Sequence, residues 1–151
     1  MKNFRGVGAI IVSEQTGNVL TVLRSSKESY ANTWTFAGGR VEANETEIAA
    51  LRRELEEELQ LTKIKKITPL HRYQSRAKDF VYDTFVVLVA KEFVPKLNWE
   101  NSGYAWTTVE RLPGPLHPKT RQMISSARLV EKLKNFYDWV DKNNGGDNSV
   151  S

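Results

Sequence analysis

The segment from Gly39 to Leu61 constrains this chain more than any other part of its sequence. It places Glu54, Glu57 and Glu58 at positions i, i+3 and i+4 of a predicted helix, and a step of about 100° per residue keeps them on one face. Like charges side by side destabilise a helix, so they need a reason to be there. Carboxylate oxygens are the ligands that Mg²⁺ and Mn²⁺ prefer, so the pattern predicts a divalent-metal site. A solvated acidic face is the alternative for such a helix taken by itself.

The flanking residues predict where this helix begins. Asn44 is a good N-cap residue and Glu47 follows three residues later, which is a capping-box arrangement. The helix is therefore predicted from about Glu45 to Leu59. Gly38 and Gly39 precede it and predict a tight turn, because a backbone without Cβ atoms can closely approach a metal or a phosphate.

The spacing in this segment resembles that of the Nudix box, G-x5-E-x7-R-E-U-x-E-E-x-G-U, in which U is an aliphatic residue. Eight of its nine fixed positions agree, namely Gly39, Glu45, Arg53, Glu54, Leu55, Glu57, Glu58 and Leu61. Gln60 stands where the family has the glycine that ends the helix. Gln60 could adopt the left-handed conformation of that glycine at a modest strain cost, or the helix could end slightly differently.

The resemblance implies an α/β fold, a Nudix-like α/β/α sandwich in which a mixed sheet carries helices on both faces. It implies a site for Mg²⁺ or Mn²⁺. The ligands that it implies are the carboxylates of Glu54, Glu57 and Glu58 and the backbone carbonyl of Gly39. In the family the arginine at the position of Arg53 braces a box glutamate by ion pairing, and Glu45 would be a structural partner of the loop.

The reaction implied by the resemblance is metal-assisted attack of water on a phosphoanhydride. A carboxylate accepts the proton of that water, and family members place this base either on the box helix or on a loop before a late strand. Both choices exist here, as Glu57 on the helix and Glu100 in the segment NWENSGYAW. The predicted catalytic residues are Glu57, Glu54, Arg53 and Glu100.

The substrate is less constrained by the sequence. Arg24 matches a position that often touches phosphate in the family, and Gly38 and Tyr73 complete the predicted substrate contacts. Aromatic rings can stack on a nucleobase; the five candidates, of which one or two are expected to line a pocket, are Trp34, Tyr30, Tyr73, Phe85 and Trp106. We favour a nucleoside diphosphate linked to another group, of the ADP-ribose or dinucleoside polyphosphate type. The alternatives are a nucleoside triphosphate, the 5′ end of RNA, and a module that binds nucleotides without cleaving them.

Hydrophobic patterning predicts the remaining elements. Strands are predicted at Gly6–Ser13, Asn18–Arg24, Ile64–Ser75, Val81–Lys91 and Tyr104–Val109. A helical packing face near the C-terminus is predicted from the apolar positions Ile124, Ala127, Val130, Leu133, Phe136, Tyr137 and Val140. Residues 1–142 are predicted to form one domain, and residues 143–151 a disordered tail.

Composition and charge exclude several other classes of protein. The chain has no cysteine, so it has no disulfide framework and no thiol nucleophile. It has neither a P-loop nor a GxGxxG motif, which argues against a kinase or a dehydrogenase. No apolar run approaches the roughly 20 residues of a membrane span and no signal-peptide pattern is present, so a cytoplasmic protein without a membrane partner is predicted. A homodimer is left open.

The net charge of +4 is unevenly placed, because residues 42–58 hold seven Glu and two Arg and the remainder is correspondingly basic. A basic body around an acidic segment suits a nucleotide-type anion that a divalent metal bridges to the protein. A generic basic surface that keeps the protein soluble is the alternative.

Overall fold

The computed structural model describes the backbone of residues 3–150 and the side chains of residues 3–143. The strands are β1 (Phe4–Ser13), β2 (Val19–Arg24), β3 (Trp34–Thr35), β4 (Ala37–Arg40), β5 (Lys66–Gln74), β6 (Phe80–Val89) and β7 (Asn101–Thr107). The helices are α1 (Glu47–Leu59), α2 (Pro118–Ile124) and α3 (Ala127–Val150), with a 3₁₀ turn at Val109–Arg111. Within the described residues, no helix combines the length and the apolar character that crossing a membrane would require.

Strand β1 organises the mixed sheet because it has a parallel neighbour on one side and two antiparallel neighbours in succession on the other. It runs parallel to β6 along its whole length. Its first half pairs with β4, where Gly8 lies opposite Gly38, and its second half pairs with β2, where Ile11 lies opposite Leu20. β5 extends the sheet beyond β6, and β3 and β7 both pair with β2. Because β1 changes its antiparallel partner from β4 to β2 along its length, the sheet divides into two parts next to Gly38 and Gly39.

Each face of the sheet is covered by one long helix. Successive β1 residues point to opposite faces, so Val7, Ala9 and Ile11 belong to one core and Ile10 and Val12 to the other. The first core includes Ala50, Leu51, Leu55 and Leu59 of α1, and the second includes Leu129, Leu133, Phe136 and Val140 of α3. Burial of each large apolar side chain contributes about 1.5–3 kcal/mol, so these two faces fix both helices on the sheet. The predicted α/β/α sandwich is confirmed.

Helix α1 begins later than predicted, and its cap is different. The predicted capping box of Asn44 and Glu47 is wrong, because Asn44 has a positive φ of 69° and Thr46 is the N-cap. The Thr46 side-chain oxygen accepts a hydrogen bond from the Ala49 N–H at 3.1 Å. The Glu45 carboxylate accepts one from the Glu42 N–H at 2.9 Å, so residues 42–45 form a turn instead of the first helical residues.

Helix α1 ends with Gln60 in the left-handed conformation, which is the first of the two options given above. Gln60 has φ 54° and ψ 36°, which is the left-handed conformation, and its N–H donates to the Glu56 carbonyl at 2.9 Å. A non-glycine residue therefore occupies the position of the family glycine without changing how the helix ends.

The predicted Gly38-Gly39 turn is wrong, because both residues lie in strand β4. A Cβ on Gly38 would collide with the Val7 carbonyl oxygen in β1, and a Cβ on Gly39 would collide with the carboxyl group of Glu54. Both positions need a residue without a side chain, as the sequence suggested. The groups that come close are the backbone of β1 and the carboxylate of Glu54, whereas the sequence suggested a metal or a phosphate.

Four predicted strands are confirmed to within a few residues, and the fifth begins earlier than predicted. β7 starts at Asn101 because it pairs with β2 from Arg24 onwards. The short strands β3 and β4 were missed by the hydrophobic pattern, since one has two residues and the other contains two glycines.

The C-terminal packing face is only partly as predicted. The chain breaks between α2 and α3, so Ile124 and Ala127 lie on different helices. Val130 is 43% exposed and Ala127 is exposed, while Leu129 is buried. The prediction of a disordered tail at residues 143–151 falls almost wholly outside the residues whose side chains are described, and it stays a prediction.

Candidate active site

A cavity of about 840 Å³ lies beside the glycine pair of β4. Gly38, Gly39, Glu58, Glu100 and Asn101 line it on one side. Its lining also includes an aromatic group from β1, β5 and β6, namely Phe4, Tyr73, Phe80 and Tyr82. The cavity therefore combines carboxylates with apolar rings, as a site for a nucleotide requires.

Glu54 lies directly under the backbone of Gly39. It is 8% exposed, and its Oε1 accepts a hydrogen bond from Arg53 Nη1 at 2.9 Å. Burial raises the pKa of the Glu54 carboxyl, and the hydrogen bond from Arg53 opposes that effect. Because Gly39 has no Cβ, this carboxylate can occupy the space against the strand.

Glu58 is the most deeply buried carboxylate of the box helix, at 4% exposed. Its two oxygens accept hydrogen bonds from the Gly38 N–H at 3.1 Å and from Asn101 Nδ2 at 3.0 Å. Burial raises the pKa of Glu58 to about 8, and the negative charge of Glu100 adds to that rise. A divalent cation would relieve both effects, because it favours the ionised carboxylate.

Arg53 joins the loop before α1 to the carboxylates on α1. Its Nε and Nη2 donate to the two oxygens of Glu45 at 2.7 and 2.9 Å, and Nη2 also donates to the Arg40 carbonyl at 2.9 Å. Hydrogen bonding to Arg53 lowers the pKa of Glu45 to about 2. Because the guanidinium is planar and bonds Glu45 in a bidentate way, it fixes the orientation of the groups around it.

Glu57 has a more exposed environment than the other two predicted metal carboxylates. Its side chain is 53% exposed, and it accepts a hydrogen bond from Arg53 Nη1 at 3.3 Å. It is not among the residues that line the cavity.

The described residues could supply only some of the ligands of a divalent cation. Within residues 3–143, no group of three or more His, Asp or Glu side chains is arranged as a ready-made metal site. Mg²⁺ does not need one, since it usually combines one or two carboxylates with waters and substrate phosphates. Glu54 supplies a buried carboxylate in the space that a Cβ at Gly39 would fill, and Glu58 supplies a second buried carboxylate that accepts from the Gly38 N–H.

Glu100 reaches the cavity from the loop before β7. Its backbone N–H donates to Asn98 Oδ1 at 3.0 Å, and Asn98 Nδ2 donates to its side chain at 3.4 Å. Burial raises the pKa of Glu100, and the charge of Glu57 contributes to the rise. Since Glu100 in turn raises the pKa of Glu58, the loop carboxylate and the box helix share one electrostatic environment.

The three predicted substrate contacts all line the cavity. Arg24 is held by the loop that follows it, with Nε donating to the Ser29 carbonyl at 2.6 Å and Nη2 donating to Ser29 Oγ at 3.1 Å. Tyr73 is half exposed and meets Phe80 edge-on, and Gly38 lies next to Glu58.

Two of the five aromatic candidates line the cavity, Tyr30 and Tyr73. Phe85 is part of the core under α1. Trp106 packs against Phe93, and its Nε1 donates to the Phe93 carbonyl at 2.9 Å. Phe85 and Trp106 therefore have structural roles. The residue type alone does not distinguish an aromatic side chain that packs in this way from one that binds a base.

Several residues of the site were missed by sequence reasoning. Asn101 directly follows Glu100, but it was missed because the predicted strand began only at Tyr104. The alternation of Phe80 and Tyr82 along β6 was visible in the sequence. His117 and Lys119 line the cavity as well, but no pattern in the sequence singles out the N-cap residue of α2 or this residue of its first turn.

A mixed sheet between two helical layers, with a glycine strand lying against a carboxylate-bearing helix, is the arrangement of a Nudix-type hydrolase. The family model for the NUDIX domain matches residues 2–127, and the chain belongs to this family. The predicted family, fold class and enzyme class, a Nudix pyrophosphohydrolase, are confirmed at this level.

Individual relatives agree with this assignment. The CTP pyrophosphohydrolase of Escherichia coli (strain K12) is 46% identical over 59 residues, which cover 39% of this chain and 42% of that protein, so the match spans less than half of that relative. The 8-oxo-dGTP diphosphatase of Haemophilus influenzae is 28% identical over 131 residues, covering 86% of this chain and 94% of that protein. The crystal structure of a MutT NUDIX hydrolase from Burkholderia pseudomallei is similar with a TM-score of 0.64 and 26% identity, covering 84% of this chain and 99% of that one.

Proposed function

We propose that this protein hydrolyses a phosphoanhydride of a nucleoside triphosphate in the presence of Mg²⁺ or Mn²⁺, releasing a nucleoside monophosphate and pyrophosphate. The observation that carries this proposal is a cavity lined by the buried carboxylate of Glu58, the partly buried carboxylate of Glu100 and an aromatic group. The names of two relatives, which refer to CTP and to 8-oxo-dGTP, support a triphosphate.

Glu54 and Glu58, with Glu57 and the Gly39 carbonyl at the same surface, are the groups that would hold the cation. When bound, a divalent cation would neutralise phosphate charge and lower the pKa of the attacking water. Arg53 keeps Glu54 and Glu57 oriented through its hydrogen bonds at 2.9 and 3.3 Å.

Glu100 is the general base in this proposal. The oxygen of a water attacks phosphorus, its proton passes to Glu100, and the bridging P–O bond breaks so that its electrons remain on the leaving pyrophosphate. A base works best with a pKa near the working pH, and burial moves the pKa of Glu100 in that direction. Glu57 is the less suitable candidate because its carboxylate accepts from Arg53 and does not line the cavity.

Arg24 is positioned to bind a phosphate group of the substrate. Its guanidinium is held by Ser29 at the cavity wall, and its charge lies close enough to Glu100 to oppose the rise in the pKa of that carboxyl. An arginine that is already fixed loses less conformational freedom on binding a phosphate.

The choice of base can be tested with Glu100→Gln, Glu57→Gln and the control Glu56→Gln, whose side chain is exposed on the same helix. Glu100→Gln should lower kcat about 10²–10⁴-fold and leave the Mg²⁺ concentration for half-activity unchanged. Glu57→Gln should change both the rate and the metal requirement. An unchanged kcat in Glu100→Gln would remove the loop residue from the mechanism.

A nucleoside diphosphate linked to another group is the second candidate, of the ADP-ribose or dinucleoside polyphosphate type. The observation that favours it is that the cavity continues past the carboxylates to Arg24, Tyr30 and His117, where the two rings lie 4.5 Å apart. Turnover of CTP, 8-oxo-dGTP, ADP-ribose, diadenosine polyphosphates and triphosphorylated RNA, with Mg²⁺ and with chelator, would rank these substrates. Tight nucleotide binding without metal-dependent turnover of any of them would instead support a module that only binds.

A further inference from the structure

Lys119 places a positive charge among aromatic rings at the edge of the cavity. Its Nζ lies 4.0 Å from the ring centre of Phe80, 5.4 Å from that of Tyr82 and 5.8 Å from that of Phe4. We call these three rings the aromatic cluster. In the described part of the chain, Lys119 forms no ion pair with a carboxylate. The desolvation that accompanies this position lowers the pKa of Lys119.

The sequence of β1 makes room for the aromatic cluster. Phe4 and Phe80 are partners in the register of β1 and β6, and their rings stack at 4.9 Å with an interplanar angle of 11°. A Cβ on Gly6 would lie 2.7 Å from the Phe4 ring and 2.8 Å from the Tyr82 ring, and a Cβ on Gly8 would collide with the Tyr82 hydroxyl. The two glycines therefore allow the rings to lie flat along the strand, with Tyr82 pointing toward Gly8.

The Phe4 end of the aromatic cluster lies away from the carboxylates in the same cavity, whereas the Tyr82 hydroxyl points toward Gly8. Gly8 pairs with Gly38, whose N–H binds Glu58. Phe4 is four residues further back on β1, which is roughly 13 Å at about 3.3 Å per residue. A nucleotide whose phosphates lie at Glu58 would therefore place its base at the aromatic cluster. The group nearest to Lys119 would then be the edge of the base that lies farthest from the sugar.

We propose that Lys119 selects the nucleobase by donating a hydrogen bond to a carbonyl oxygen on that distal edge, at position 6 of a purine or position 4 of a pyrimidine. This rests on the proposed function, since it assumes that the cavity binds nucleotides with their phosphates at Glu58. A lysine ammonium can only donate. It pairs with the carbonyl of hypoxanthine, guanine or uracil, and it opposes the amino group of adenine or cytosine.

The rings of the aromatic cluster are partly exposed to the cavity, so a base that packs against them buries apolar surface whichever base it is. Contact with the rings therefore supplies affinity, and the lysine supplies the difference between bases. Arg40, which lies 5.0 Å from the ring centre of Phe4, adds a second cation at this end and makes it still more suitable for an electron-rich edge.

The test measures binding of matched monophosphates, which contain no phosphoanhydride and cannot be hydrolysed. IMP and AMP differ at position 6 in the group of interest, and UMP and CMP differ at position 4. By calorimetry or NMR titration, the wild type should bind IMP and UMP at least about tenfold more tightly than AMP and CMP, since a hydrogen bond to a charged donor is replaced by a donor facing a donor. Lys119→Met, which keeps an unbranched stem over the rings, should reduce both ratios to near one, and Lys119→Arg should retain them.

Lys134→Met is the matched control, because Lys134 is exposed on α3 and is absent from the cavity lining; it should leave both ratios as in the wild type. Equal binding of the keto and amino partners by the wild type, or ratios that survive in Lys119→Met, would overturn the proposal. A uniform loss of all four ligands in Lys119→Met would do the same, because it would assign Lys119 to a phosphate. A correct selectivity ratio without turnover of any triphosphate would refute only the proposed function.

Discussion

Burial of Glu58 should make the metal-free protein less stable as the pH rises. Its carboxyl has a pKa of about 8 in the folded protein and 4.5 as an ordinary glutamate, with burial as the largest cause. The folded state therefore holds a proton that the unfolded state has released. Between these two pH values the unfolding free energy must fall with increasing pH, because the unfolded state binds fewer protons than the native state.

The size of this effect follows from the pKa change. At 1.36 kcal/mol for each pKa unit, the full loss is at most about 5 kcal/mol, and the slope is at most about 1.4 kcal/mol per pH unit. Glu54 and Glu100 have raised pKa values as well and act in the same direction. The lowered pKa values of His71 and His117 act in the opposite direction near pH 6.5, so the comparison must be made between variants that differ only at Glu58.

Glu58→Gln isolates this contribution. The glutamine can accept from the Gly38 N–H and, after rotation of the Asn101 amide, donate to its oxygen, so the hydrogen-bond cost does not depend on pH. Urea denaturation in chelator from pH 5 to pH 8 should show the variant gaining stability relative to the wild type by a few kcal/mol over that range. Glu56→Gln, at an exposed site on the same helix, should run parallel to the wild type. A constant difference between Glu58→Gln and the wild type at all pH values would refute the reasoning.

Three further changes test the box segment. Gln60→Gly should raise the unfolding free energy by about 0.5–1 kcal/mol, because it removes left-handed strain, while Gln60→Ala should give no gain; thermal denaturation measures both. Gly39→Ala should cost about 1–3 kcal/mol and raise the Mg²⁺ concentration for half-activity, because the new Cβ displaces the carboxylate beneath it. Gly103→Ala, where a Cβ meets only ordinary contacts, should leave that Mg²⁺ concentration unchanged. Arg53→Lys should lower kcat at least tenfold, since an ammonium cannot replace the bidentate guanidinium, and unchanged kinetics would show that the fork geometry is dispensable.

The parts of the structure that depend on local spacing could be predicted from the sequence. The order of the box residues determines which carboxylates share a face of α1, and helical periodicity alone gives that result. The near-continuous apolar runs of β1 and β6 identify strands whose two faces are both buried. The left-handed conformation at Gln60 was one of the two options left open by its position after the last helical turn.

The remaining features depend on which segments meet in space, and spacing along the chain does not contain that information. The glycine pair was expected in a turn, but its neighbours are Val7 of a distant strand and Glu54 of the following helix. The N-cap is Thr46 and not the predicted Asn44, because Glu45 binds Arg53. That ion pair joins residues eight apart and outweighs the local preference for a capping box.

The start of β7 shows most clearly why the site could not be assembled from the sequence. Glu100 reaches the box helix because Arg24 of β2 pairs with Asn101, which fixes where the loop ends. Asn101 then donates to Glu58, so the residue next to the proposed base also holds a proposed metal carboxylate. A change at Asn101 should therefore disturb both groups at once, since removing its amide frees Glu58 and loosens the start of the strand that positions Glu100. The two carboxylates form one unit through this edge of the sheet, and neither can be assigned a role from its own segment alone.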